Sequence, residues 1–127
     1  MTETDIAMHV SVAEAPLPGV CTVRIRDSFL NYAMSDALKR SLKDLCHERI
    51  SGGVRGFAVD LSPVTVMDSC GLSVLISVKK LVEGEGGRMS LFALSPMIRR
   101  LFAITKLDRV FEIHDDEASA VSALANS

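Results

Sequence analysis

Apolar and polar positions alternate over residues 6–14 (IAMHVSVAE) and 20–26 (VCTVRIR), the pattern of strands that bury one face. Pro16, Pro18 and Gly19 fall between them and predict a turn. The period then changes. From 34 to 50 the apolar residues Met34, Ala37, Leu38, Leu42, Leu45 and Cys46 recur at helical spacing, with Lys39, Arg40, Lys43 and Asp44 opposite. Asn31 or Ser35 suits the start of this helix as a cap, and Gly52-Gly53 its end. Residues 54–61 (VRGFAVDL) predict a more deeply buried strand. Ser62-Pro63 then holds the chain extended, because the residue before a proline avoids the helical region.

A strongly apolar helix is expected over 71–83, closed by the turn Gly84-Glu85-Gly86-Gly87, and a strand over 88–94 (RMSLFAL). Ser95-Pro96 opens another helix, with proline where its missing N–H costs nothing. That helix carries Met97, Ile98, Leu101, Phe102 and Ile104, of which Met97, Leu101 and Phe102 are expected in the core. A strand at 110–113 and a helix opening at Asp115-Asp116-Glu117 complete the order β-β-α-β-α-β-α-β-α. Strands alternating with single helices predict a largely parallel sheet, made mixed by the opening hairpin. The reading is one α/β domain over 1–127, with its core at about 6–125, without repeats or internal linkers.

Composition narrows the function classes. At 127 residues, 48% hydrophobic and 24% charged, the chain falls in the soluble globular class with enough apolar material for a core. A net charge of -2, no Trp and a single Tyr argue against a nucleic-acid surface, which needs clustered cations or stacking rings. The start MTETDIAMHV has no signal-peptide character, and no apolar run approaches the roughly 18 residues of a membrane helix. Cys21, Cys46 and Cys70 are odd in number and widely spaced, which fits a reducing compartment. His9, His47 and His114 are scattered, and no Cys/His pair has zinc-ligand spacing. The expectation is a cytoplasmic protein with no cofactor, no metal, no nucleic acid and no membrane partner.

The chemistry concentrates at Asp68-Ser69-Cys70-Gly71, where an extended segment meets the apolar helix. Asp and Ser are good N-caps, worth about 1 kcal/mol each, and glycine eases the turn. Cys70 near a helix N-terminus would have nucleophilic character. A cysteine phosphatase, however, needs an arginine about six residues on, where Ile76 stands. A serine hydrolase expects glycine two residues before its serine, where Met67 stands. The third reading makes Ser69 a phosphoryl acceptor: its phosphate would face a positive helix end and add about -1.5 to -2 charges beside Asp68. The apolar positions Leu72, Val74, Leu75, Ile76, Val78, Leu81 and Val82 cover more than one helix face, so some are exposed, as a docking surface beside Ser69, or buried by another element.

Elsewhere the glycines at 84, 86 and 87 precede a strand and read as a turn rather than a phosphate loop. Arg99-Arg100 reads as a solvated helix face and His114 as a surface residue near a helix start. Asp60, in the buried strand, is expected near Ser69 on the same sheet edge.

These residues resemble the STAS family, specifically bacterial anti-sigma factor antagonists. The motif D-S-[ST]-G-L stands here as Asp68-Ser69-Cys70-Gly71-Leu72, followed by an apolar helix and Gly86-Gly87. The family's S-P-x-x-x-R-L-F segment stands as Ser95-Pro96-Met97-Ile98-Arg99-Arg100-Leu101-Phe102, and continues through Ala103 to Leu107. The resemblance spans about 20 to 125. It implies the STAS fold and no catalytic activity. It also implies a partner switch, in which the unphosphorylated protein binds an anti-sigma factor that is itself a serine kinase. Phosphorylation of Ser69 breaks that complex, and a serine phosphatase resets it. Asp68, Ser69, Cys70, Gly71, Leu72 and Asn31 are the implied partner-binding residues. Cys70 replaces a hydroxyl residue of the family, leaving Ser69 as the acceptor. Asn31 stands for a frequent aspartate, and Phe29 for a glutamate. A STAS scaffold subunit, or a regulator with a non-sigma output, is the alternative reading.

Overall fold

A computed structural model describes residues 5–6, 10–14 and 17–125. Its strands and helices run β1 (Asp5–Ile6), β2 (Val10–Glu14), β3 (Val20–Ile25), β4 (Phe29–Leu30), α1 (Tyr32–Ser51), β5 (Gly56–Asp60), β6 (Val66–Met67), α2 (Ser69–Gly84), β7 (Arg88–Phe92), α3 (Pro96–Ile104), β8 (Glu112–His114) and α4 (Glu117–Ala125). A 3-10 turn at Leu107–Arg109 joins α3 to β8. Of the expected first strand, residues 7–9 lie outside the described residues, as do His9 and Pro16.

The main sheet has the order β1-β2-β3-β5-β7-β8. β1, β2 and β3 pair antiparallel, and β3, β5, β7 and β8 pair parallel. This is the mixed, mostly parallel sheet expected from the alternation, with four helices. A second, two-stranded parallel pair, β4 with β6, was not expected.

Alternation along the strands sorts side chains to two faces. Val10, Val12, Cys21, Val23, Ile25, Phe57, Val59 and Leu91 join α1, α2 and α3 in the large core. α1 contributes Leu38, Leu42, Cys46 and Ile50, spaced four residues apart along one stripe. The other face is smaller: Val20, Ala58 and Phe92 pack on Ala120, Val121 and Leu124 of α4. α1 ends where expected, with Gly52 as C-cap and Gly53 at φ +106°, a left-handed conformation that glycine adopts without strain.

Two placements differ from the pattern-based reading of α3. Ile98 and Phe102 are buried, but Met97 is 64% exposed and Leu101 only half-buried. With the core reached by residues four apart, Met97 falls on the outer side of a short helix. Asp60 is the last residue of β5, at the C-terminal edge of the sheet. Val59 points toward α1 and α2, so Asp60, one residue on, faces the α4 side and bonds Arg24 Nε at 3.0 Å.

Candidate functional site

Short extended segments bring two helix starts together. Phe29 pairs with Val66 and Leu30 with Met67, and Asp68 N donates to Leu30 O at 3.0 Å. Each strand runs at once into a helix, α1 after Asn31 and α2 after Asp68. Asn31 Oδ1 accepts from Ala33 N at 3.1 Å, so Asn31 rather than Ser35 caps α1. Asp68 Oδ1 accepts from Cys70 N at 2.9 Å and Gly71 N at 3.1 Å. Its Oδ2 accepts from Tyr32 N at 3.2 Å, the first residue of α1. One carboxylate thus satisfies backbone donors of both helices, at the point where both positive dipole ends converge.

Gly71 explains how close the two segments come. A Cβ there would lie 2.6 Å from Leu30 O, 2.7 Å from Met67 Cγ and 2.8 Å from Leu30 Cβ. Only a residue without a side chain admits the β4 backbone this near to α2. The sequence marked Gly71 as easing a turn; its real constraint is a close approach across 41 positions of sequence, which spacing alone does not reveal.

Ser69 is exposed on the first turn of α2, while Asp68 and Cys70 beside it are half-buried and Gly71 and Leu72 are buried. Cys70 lines a cleft of about 200 Å³ between α1 and α2, with Ser35, Asp36, Lys39, Ser73 and Val74. The described histidines lie elsewhere. His47 bonds Glu85 near the far end of α1, about 22 Å along the helix from Tyr32 at 1.5 Å per residue. His114, the last residue of β8, lies near the start of α4 as expected, but it is half-buried rather than exposed. Arg99 and Arg100 are exposed as expected, with Arg99 paired to Asp115.

Of the seven apolar positions on α2, Ile76 and Leu81 are half-buried and the other five are covered. Leu72, Val74, Leu75, Val78 and Val82 are all buried, because α1 packs along α2 on one side and the sheet lies on another. Exposure falls instead on the short strands and neighbouring helix starts. Phe29 is 56% exposed, Val66 46% and Tyr32 78%, with Met97 on α3, which packs against β6. Phe29 and Val66 are cross-strand partners, so they form one apolar rim beside the junction.

Among the described residues, no group of three or more His, Cys, Asp or Glu could hold a metal, and no helix is long and apolar enough to cross a membrane. The family model of the STAS domain matches residues 14–120, and the chain belongs to this family. A curated relative, the anti-sigma F factor antagonist of Paenibacillus polymyxa, is 27% identical over 84% of this chain and 87% of its own length. Among solved structures, an anti-sigma-factor antagonist (STAS) domain protein from Planctomyces limnophilus superposes with a TM-score of 0.78, at 18% identity, covering 94% of this chain and all of that one. The Bacillus cell fate determinant SpoIIAA in its phosphorylated form superposes with a TM-score of 0.60, at 18% identity over 87% of this chain and 95% of that one. These structural likenesses establish the fold.

Proposed function

We propose that this protein is a phosphorylation-controlled antagonist of an anti-sigma factor that is also a serine kinase. Unphosphorylated, it binds that kinase and frees the sigma factor. The kinase transfers a phosphoryl group to the Ser69 hydroxyl, the complex separates, and a serine phosphatase removes the group. Asp68, Ser69, Cys70 and Asn31 meet the partner, and Gly71 and Leu72 shape the surface from beneath. Phe29, Tyr32 and Val66 add apolar contact.

One observation carries this reading: Ser69 is exposed to a visiting enzyme on a turn whose backbone is fixed by Asp68 and Gly71. Phosphate on the first turn of α2 meets the positive end of a helix dipole, so the fold tolerates it. The same charge beside Asp68 must be desolvated by any docking partner, which opposes binding. The relative named an anti-sigma F factor antagonist supports the choice of partner class.

Calorimetry of the unphosphorylated protein, Ser69→Ala and Ser69→Asp against the cognate kinase tests the switch. Ser69→Ala should bind as the unphosphorylated protein does. Ser69→Asp should bind about 5- to 150-fold more weakly, the range of a 1–3 kcal/mol coupling. Equal affinities, or mass spectrometry placing the kinase's phosphate on another residue, overturn the proposal.

A further inference from the structure

A surface helix needs one apolar stripe to hold it to a core, and α3 carries two. The inner one is Ile98 and Phe102, both buried, and the Phe102 ring meets Phe111 edge-on at 5.8 Å between centroids. That contact ties the segment after α3 back onto the helix. The outer stripe is uncovered. Met97 is 64% exposed and Ile104 71%, with Leu101 half-buried between them. At 3.6 residues per turn these three fall within about 60° of one another, in a row about 10 Å long that is distinct from the core-facing side. Val110, which closes the 3-10 turn packed against α3, adds a further exposed apolar side chain.

The charges around this stripe have one sign. Residues 96–110 carry Arg99, Arg100, Lys106 and Arg109 against the single acid Asp108, in a chain whose net charge is -2. Arg99 is committed to Asp115. Arg100, Lys106 and Arg109 are exposed and make no ion pair with a described residue. By helical position Arg100 flanks the stripe on the side away from Ile98 and Phe102. Apolar residues spaced four and then three apart form the seam along which one helix receives another, and the charges beside such a seam select the partner.

We propose that the outer face of α3 docks an acidic amphipathic helix of a partner protein, its apolar residues on Met97, Leu101 and Ile104 and a carboxylate against Arg100. Lys106 and Arg109 meet further acids past the end of α3. Charge complementarity selects this occupant. A second copy of the same face would set Arg100, Lys106 and Arg109 against their own counterparts, and like charges oppose that pairing. Nucleic acid would use the cations but leave the apolar stripe unmatched. A bilayer accepts apolar groups flanked by cations, but binding to it scales with apolar area, and two helical turns without an exposed aromatic ring offer little. Docking here uses no group of the Asp68–Leu72 junction.

The probe is a synthetic three-heptad helical peptide with leucines four and three apart, flanked by glutamates whose mutual repulsion keeps it from pairing with itself. Titrating it into the ¹⁵N-labelled full chain should give saturable amide shifts at Met97, Arg100, Leu101 and Ile104. Met97→Ser and Ile104→Ser should each weaken binding about tenfold with unchanged thermal melts, since both side chains are exposed. Arg100→Glu should lose about fivefold toward this peptide and gain toward one with lysines in place of the glutamates, a reversal that only a charge contact produces. Absence of saturation, or equal binding of the two peptides by the parent, overturns the proposal. So does binding to phosphatidylglycerol vesicles but not to the peptide, which assigns the face to a bilayer. Self-association in sedimentation that Ile104→Ser abolishes also overturns it and assigns the face to a second copy.

Discussion

The carboxylate of Asp68 reaches 36 positions back along the chain to accept the backbone N–H of Tyr32, while its other oxygen caps the helix that Asp68 itself begins. The first turns of two helices are therefore tied to one side chain. Asp68→Ala should destabilise the protein by about 2 kcal/mol, since it removes one cap and one cross-chain acceptor. Asp68→Asn keeps a carbonyl oxygen for Cys70 and Gly71 but can turn an amide donor toward Tyr32 N–H, so it should cost about half as much. Urea unfolding of both variants checks the order; an equal, negligible loss in each would show that water replaces the bonds freely.

Gly71 and Gly84 offer a matched pair on α2. Gly71→Ala forces a Cβ onto Leu30 O, and overpacking of this kind costs about 1–3 kcal/mol or more. Gly84→Ala meets nothing within 4 Å and should be neutral or stabilising by up to about 1 kcal/mol. Denaturant midpoints separate the two. Similar behaviour at both positions would contradict the close packing of β4 against α2.

Exposed apolar residues distinguish docking from folding. Phe29→Asp and Val66→Asp alter side chains that are half-exposed, so stability should change by only about 0.5 kcal/mol. If the rim docks a partner, Phe29→Asp should weaken binding at least tenfold, as truncating an aromatic anchor does. Calorimetry against the cognate kinase, with thermal melts as the control, reads both effects.

The thiols predict a pH dependence. Burial, with smaller contributions from Cys21 and Glu85, pushes the Cys46 thiol up from 9.0 to about 12. A group with a raised folded-state pKa stabilises fully below its unfolded value and loses that contribution as pH climbs toward the folded one. Between pH 9 and 12 the unfolded chain releases this proton and the native one keeps it, so stability should fall by up to about 1.4 kcal/mol per pH unit. Cys46→Ala should flatten that slope, which urea titrations at pH 8.5, 9.5 and 10.5 would reveal. A slope unchanged by the substitution would assign the loss to other groups.

The layered architecture was legible because period-two and helical patterns each act locally and punctuation by Gly and Pro is strong. The β4–β6 pair was not legible: two residues per strand are too few for a period, and pairing Phe29 with Val66 is a contact between distant segments. The same holds for the second role of Asp68, whose capping of α2 follows from neighbours but whose bond to Tyr32 does not. Met97 and the apolar positions of α2 show what spacing leaves open. Spacing places residues on a helix stripe, yet whether a second stripe is covered depends on the neighbouring helix, and α1 covers that of α2 while nothing described covers Met97.

Ser69 stands on a turn whose rigidity comes from its neighbours, and its own side chain packs into no part of the interior. Proteases and chaperones survey a population of molecules for the fraction that is open, and the proposed phosphate at Ser69 would leave that fraction nearly untouched. Under the proposed switch, the lifetime of the protein would thereby be separated from the message written at Ser69, and one pool of molecules would be written and erased many times without being spent.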